Sequence, residues 1–178
     1  MIERDGVLSI DKPEGPTSRD VLDALEKSLG LGPLGHSGTL DPLATGLLVV
    51  LAGRARRLQA FLTGRTKKYR AVVRFGATTE TLDREGEERP TGVPPPSTDV
   101  AARDSLLGAF LGETTQRPPA YSAVRVGGRR AYELARSGRP EEPPARSVRF
   151  DAIDFVSADG PDWTLDVVCS AGAFIRSL

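Results

Sequence analysis

SVRFDAIDFVSADGPDWTLDVVCSAG (Ser147–Gly172) reads as two strands joined by an Asp-Gly turn. In its second half Trp163, Leu165, Val167 and Cys169 occupy alternate positions and so share one apolar face. Strands joined this tightly run antiparallel. Working outward, GVLSIDKPEG (6–15) is a strand ending in a Lys-Pro turn, and LLVVLAG (47–53) and KKYRAVVRFGA (67–77) are two more. PTSRDVLDALEKSLG (16–30) is a helix. Thr17 or Ser18 caps it, Asp20 favours its positive end, Val21, Leu22, Leu25 and Leu29 form its apolar stripe, and Gly30 stops it. RARRLQAFLTG (54–64) reads as a short helix, and Ser97 or Thr98 is expected to cap another beginning at Asp99. LGPLGHSGTLDPLATG (31–46) is too rich in Gly and Pro for regular structure and reads as a long ordered loop. Residues 78–97 form an exposed acidic loop; residues 116–138 read as extended chain, a Gly-Gly turn and a short helix; a six-residue helix would start at Ala173. There is no internal repeat and no regular βαβ period. The expected fold is α+β, with a mixed, mostly antiparallel central sheet and flanking helices.

Length and composition suit one globular domain, or one and a fraction: 178 residues, 39% of them hydrophobic. No stretch is long and apolar enough to span a membrane, and the charged N-terminus does not read as an export signal. The single cysteine, Cys169, has no internal partner, which suits a buried structural thiol in a reducing cytoplasm. The formal net charge is zero, but the charge is segregated. Arg54 to Gly76 holds eight Lys/Arg and no acid, Thr114 to Pro140 six Arg and one acid, and Glu80 to Glu113 eight acids against three Arg. Arginine outnumbers lysine twenty to four, which suits bidentate phosphate contact and equally reflects a compositional bias.

Asp41 lies inside GHSGTLDPLATGLLVV (35–50), among glycines, small hydroxyls and the only histidine, His36. Asp-Pro is a common turn starter, so one reading is a turn aspartate. The other starts from Leu34, Leu40 and Leu43, which should tuck inward, and from a following strand apolar on both faces. A carboxylate held on such a base can act as nucleophile or general base if something orients it. Arg176, between Ile175 and Leu178, is the candidate orienter, or else an ordinary exposed helix residue. Tyr69 sits among Arg65, Lys67, Lys68 and Arg70, a pattern that fits either a base-stacking surface flanked by phosphate contacts or a tyrosine packed in its sheet. One histidine and one cysteine do not make a zinc site, and no nucleotide-binding glycine pattern occurs. No metal or cofactor is expected.

Taken together, GVLSIDKPEGPTS, GHSGTLDPLATGLLVV, KKYRAVVRFGATTETLDREGE, QRPPAYSAVRVGGRRAYELARSG and CSAGAFIRSL resemble the TruB-type tRNA pseudouridine synthases in order and spacing. The resemblance implies a pseudouridine synthase fold over residues 1–178 and an isomerase that converts a T-loop uridine of tRNA (position 55 in tRNA numbering) to pseudouridine. It implies no cofactor. Asp41 matches the catalytic aspartate. Tyr69 matches a tyrosine that stacks on the flipped base and helps remove the C5 proton, and Arg176 an arginine that pairs with the aspartate. His36 matches a histidine that fills the gap left in the T-loop. Lys12 and Pro13 match a Lys-Pro motif bordering the site, and Asp83 a polar residue in a substrate-side loop. Residues 116–146 look like a mobile thumb that closes over RNA, with Gly127 and Gly128 as its hinge. Tyr121, Arg125, Arg129 and Arg130 are its RNA-contact candidates, beside Lys67, Lys68 and Arg70. The expected partner is the T-arm of tRNA, bound by a monomer.

The sequence departs from the family pattern at Phe174, where a tyrosine is usual, and at Arg125, where many relatives have lysine. The family pattern also continues past Leu178, so Leu178 is read as a truncation point. Three rival readings are a guide-RNA-dependent pseudouridine synthase, a catalytically silent RNA-binding or tRNA-folding module, and a hydrolase using Asp41. The last lacks a paired carboxylate at a readable spacing.

Overall fold

The computed structural model describes residues 5–178 and divides into two compact units, the first ending at Arg65 and the second running from Thr66 to Leu178. In the first, β1 (Gly6–Lys12) leads to α1 (Ser18–Leu29), β2 (Leu34–His36), β3 (Gly46–Ala52), a 3-10 turn over Gly53–Leu58 and α2 (Gln59–Thr63). β3 is central, antiparallel to β1 on one side and to β2 on the other. Leu22 of α1 packs with Leu34, Leu48, Val50 and Ala52, and Leu8, Ile10, Val21, Leu25, Leu31 and Leu40 close around them. Thr17 is the cap: its Oγ1 accepts from Asp20 N–H at 3.1 Å, and Asp20 accepts from Thr17 N–H at 2.8 Å. The pair satisfies two donors that a helix start otherwise leaves unpaired. Gly30 ends the helix at φ +61, a left-handed backbone that a Cβ disfavours.

Three expectations for this unit are corrected. Leu34–His36, read as loop, is a strand, because pairing with β3 outweighs the local Gly and Pro content. The 54–64 helix is split between a 3-10 turn and α2. β3 is apolar on both faces but not buried along its whole length: Leu47 near its start is 66% exposed, while Leu51 on the same face and Leu48 and Val50 on the other are buried.

The second unit comprises β4 (Lys67–Arg74), β5 (Ala77–Thr78), β6 (Arg89–Pro90), α3 (Val100–Gly108), β7 (Gly112–Gln116), β8 (Arg125–Val126), β9 (Arg129–Arg130), α4 (Ala131–Arg136), β10 (Arg146–Asp159), β11 (Asp162–Cys169) and a 3-10 turn over Ile175–Ser177. Its main sheet has the order β4-β11-β10-β7, antiparallel throughout. The hairpin at its centre turns between Asp159 and Asp162, as the Asp-Gly pattern predicts. Trp163, Leu165, Val167 and Cys169 are all buried on one face. Phe75 and Phe155 meet Trp163 edge-on, with ring centroids at 5.0 and 5.3 Å. Burial pushes the Cys169 thiol up, as suits an inert structural cysteine. α3 is capped by Asp99, whose Oδ1 accepts from Ala101 and Ala102 N–H, and not by Ser97 or Thr98. The α+β class with antiparallel pairing is thus the observed one. Among the described residues no helix is long and apolar enough to cross a membrane.

On the other face of the β4–β11 ladder, Arg70 opposes Asp166 and Arg74 opposes Asp162. Each arginine grips its carboxylate with two hydrogen bonds of 2.7–2.8 Å. These bonds hold both carboxyls below the usual 3.8. A depressed folded value means stability present above the unfolded value and lost as pH falls through the folded one. An Asp162→Asn/Asp166→Asn variant should therefore show a flatter decline in denaturation midpoint between about pH 5 and pH 2. The change should be small, since exposed pairs are screened. An unaltered acid limb would mean the pairs contribute nothing.

Candidate active site

Asp41 is presented by a turn whose backbone is pinned on both sides. Ala44 N–H bonds back to the Asp41 carbonyl at 3.0 Å, which closes the turn with Pro42 in its second position. Lys12, the last residue of β1, is fully buried. Its Nζ donates to the carbonyls of Pro13 (2.9 Å), Pro42 (3.0 Å) and Ala44 (2.7 Å). Gly15 N–H also donates to the Pro42 carbonyl, at 2.9 Å. On the other flank Ser18 Oγ accepts from Leu40 N–H at 2.9 Å and donates to the Leu40 carbonyl at 3.3 Å. The backbone on either side of Asp41, at Leu40 and at Pro42 and Ala44, is therefore tied to residues 12–18. Burial pulls the Lys12 ammonium down from its usual value, and the charges of Asp41 and Glu14 oppose that fall. So the Lys-Pro motif acts as a brace, a role the sequence did not disclose. Ser18, read only as a cap candidate, is the second brace. His36 ends β2 opposite Val50, and its Nδ1 is buried without a hydrogen-bond partner among the described residues.

In the second unit, Tyr69 stands half-buried on the core-facing side of β4, packed on the Trp163 cluster and opposite Val167. Lys67 is half-buried; Lys68 and Arg70 point outward. Arg70, expected to serve phosphate, is already engaged by Asp166. Asp83 also differs from expectation: within a loop read as exposed, its side chain is only 9% exposed. It accepts from Thr81 Oγ1 at 2.7 Å and from Glu85 N–H at 3.0 Å. This loop is tightly wound: a Cβ on Gly86 would lie 2.6 Å from Thr81 Oγ1 and 2.8 Å from Thr79 Cβ.

Arg176 is not an exposed helix residue. It sits in the 3-10 turn with its side chain 12% exposed. Its guanidinium lies 3.3 Å from Asp83 Oδ2 and donates to the carbonyls of Thr81 (2.9 Å) and Tyr121 (3.0 Å). Tyr121 OH donates to Glu80, and this bond pushes the phenol up from its usual value. The structure thus brings Arg176, Asp83 and Tyr121 together, a grouping that spacing alone did not suggest. Arg125 and Arg130 pair across a two-residue hairpin loop. Gly127 and Gly128 have φ +57 and +85, the positive values that such loops require at both positions. Arg125 donates to the Gly128 carbonyl at 3.0 Å; Arg129 and Arg130 are exposed. Among the described residues no group of three His, Cys, Asp or Glu is placed to hold a metal ion.

The family model "TruB family pseudouridylate synthase (N terminal domain)" matches residues 26–175. The chain belongs to the TruB family. Among its relatives named tRNA pseudouridine synthase B, the protein of Caldanaerobacter subterraneus subsp. tengcongensis is 41% identical over 175 residues, covering 98% of this chain and 61% of the relative. That of Mycobacterium tuberculosis is 41% identical over 177 residues, covering 97% and 59%. That of Cupriavidus pinatubonensis is 45% identical over 179 residues, covering 97% and 55%. This TruB-family chain therefore spans 55–61% of the length of these relatives. Among solved structures, a Cbf5-Nop10-Gar1 complex matches with TM-score 0.68 at 29% identity, over 97% of this chain and 41% of that one. An H/ACA RNP bound to a substrate RNA containing 2'-deoxyuridine matches with TM-score 0.65 at 27% identity, over 97% and 40%.

Proposed function

We propose that this TruB-family chain carries the catalytic machinery of a tRNA pseudouridine synthase acting on the T-loop uridine at position 55. The observation that carries the reading is Asp41 in a turn whose flanking peptides are both braced, by Lys12 and by Ser18. In an isomerisation the glycosidic N1–C1′ bond breaks, the base turns, C5 bonds to C1′, C5 loses its proton and N1 gains one. Atoms and electrons balance without a cofactor. Asp41 is the attacking carboxylate, Tyr69 the aromatic that stacks on the extruded base, and Arg176 the arginine that the family resemblance assigns to catalysis. Extrusion costs a few kcal/mol, less for a base in an already open loop. His36 and Asp83 border the substrate, while the fully buried Lys12 serves it only by holding the Asp41 turn. The thumb, residues 116–146, closes over the RNA with Tyr121, Arg125, Arg129 and Arg130, while Lys67, Lys68 and Arg70 meet phosphates from β4. Asp166 holds Arg70 through Nε and Nη2, so Nη1 lies outside that pair. The reading includes a monomer working in the cytoplasm, which suits the buried, unbridged Cys169.

Tritium release from a tRNA transcript labelled at uridine C5 tests this, because C5 gives up its hydrogen. The assay takes this chain and a fusion extending it with the C-terminal remainder of the Caldanaerobacter relative. Release that vanishes in Asp41→Asn supports the reading. Binding of tRNA with no release from either protein would make the chain an RNA-binding module. Changing Arg129 and Arg130 to Ala should weaken tRNA affinity and flatten its log–log salt slope, by roughly one unit for each phosphate that the protein no longer neutralises. An unchanged slope would remove both from the interface.

A further inference from the structure

Gln116, the last residue of β7, is a buried polar side chain with no assigned step in the reaction. Its carboxamide meets Phe174 twice: Nε2 donates to the Phe174 carbonyl at 2.9 Å, and Oε1 accepts from Phe174 N–H at 2.7 Å. This is the pairing one strand offers another, made here by a side chain. Two residues beyond Phe174 stands Arg176, with its bonds to Thr81 and Tyr121 and its ion pair with Asp83. On the far side of Arg176, Ser177 Oγ donates to the Arg117 carbonyl at 3.0 Å. Consecutive residues of one strand end thus hold the chain before and after the arginine. Ala173, Ile175 and Leu178 also anchor this segment, by packing on the Trp163 cluster. Apolar burial is non-directional and sets depth only. Two hydrogen bonds to the N–H and C=O of one residue also set its rotation.

We infer that Gln116 is a positioning residue for Arg176: its carboxamide fixes the direction in which the guanidinium leaves the chain. The consequence for turnover rests on the proposed function; the positioning itself rests on geometry alone. Side-chain ¹⁵N spectra of arginine-labelled protein separate the two, the Arg176 signal being identified by its loss in Arg176→Lys. In Gln116→Leu the guanidinium hydrogens of Arg176 should exchange about tenfold faster than in the parent protein. Gln116→Glu keeps an acceptor for Phe174 N–H but sets a carboxylate against the Phe174 carbonyl, so it should loosen Arg176 as well. That variant carries the comparison if melting shows that Gln116→Leu does not fold. An Arg176 signal unchanged in the folded variants overturns the inference.

In the tritium assay, Gln116→Leu should lower kcat about tenfold at unchanged tRNA affinity. Combined with Arg176→Lys it should add little to the single change, as expected of residues acting through one another. Full additivity would also overturn the inference. Silence from both the chain and its extended fusion would count against the proposed function, and the spectra would still decide about Gln116.

Discussion

Asp41→Asn is expected to lower turnover by about a thousandfold or more while leaving tRNA affinity within about twofold. Asparagine keeps the size and shape of the side chain but cannot attack as an anion. Nor should the exchange disturb the turn. Lys12 holds the carbonyls of Pro13, Pro42 and Ala44, and Ser18 holds both backbone groups of Leu40. Those braces all grip main-chain atoms, which the substitution leaves in place. Losing the Asp41 charge does remove one of the two influences that support the buried ammonium, so a small drop in melting temperature is expected. Single-turnover tritium release measures the chemical step, and filter binding the affinity. Equal losses in both would make Asp41 structural and return it to the turn-aspartate reading.

The second large effect is on folding. Lys12→Met should cost about 3 kcal/mol of stability, a sizeable share of what a small domain has. Two effects compete. Burying an ammonium is expensive, which is why the Lys12 value is pulled down, and replacing buried charges with apolar groups is sometimes neutral or stabilising. That relief requires that no polar partner be stranded. Here the Pro13 and Ala44 carbonyls lose the donor at 2.9 and 2.7 Å, while the Pro42 carbonyl keeps one among the described residues, from Gly15 N–H. Each stranded acceptor costs roughly 1–3 kcal/mol, so the loss should exceed the relief. Urea denaturation should show a lower midpoint with an unchanged slope. A midpoint equal to that of the parent protein would mean that the carbonyls find other donors and that Lys12 is no brace.

The sequence by itself determined the local elements. The Trp163–Cys169 alternation, a hydroxyl cap at Thr17 or Ser18, the Gly30 stop and the Gly127-Gly128 turn each reflect rules that act within a few residues, and the structure has all of them, with Thr17 as the cap. It also singled out Asp41, because a carboxylate in a Gly- and Pro-rich turn before an apolar run is unusual, and the motifs around it carried the family. Where a strand depended on a distant partner, local reading fell short: β2 exists only because β3 offers its edge, and Gly and Pro hid it. The tertiary structure alone decided who holds what. Lys12 reaches Ala44 across 32 positions, Gln116 reaches Phe174 across 58, and Arg176 reaches Thr81 across 95. The reason is physical. Capping, periodicity and turn chemistry are set by neighbours along the chain. A buried donor must take whichever carbonyl the packed fold leaves unpaired, and no pattern in the sequence marks that carbonyl.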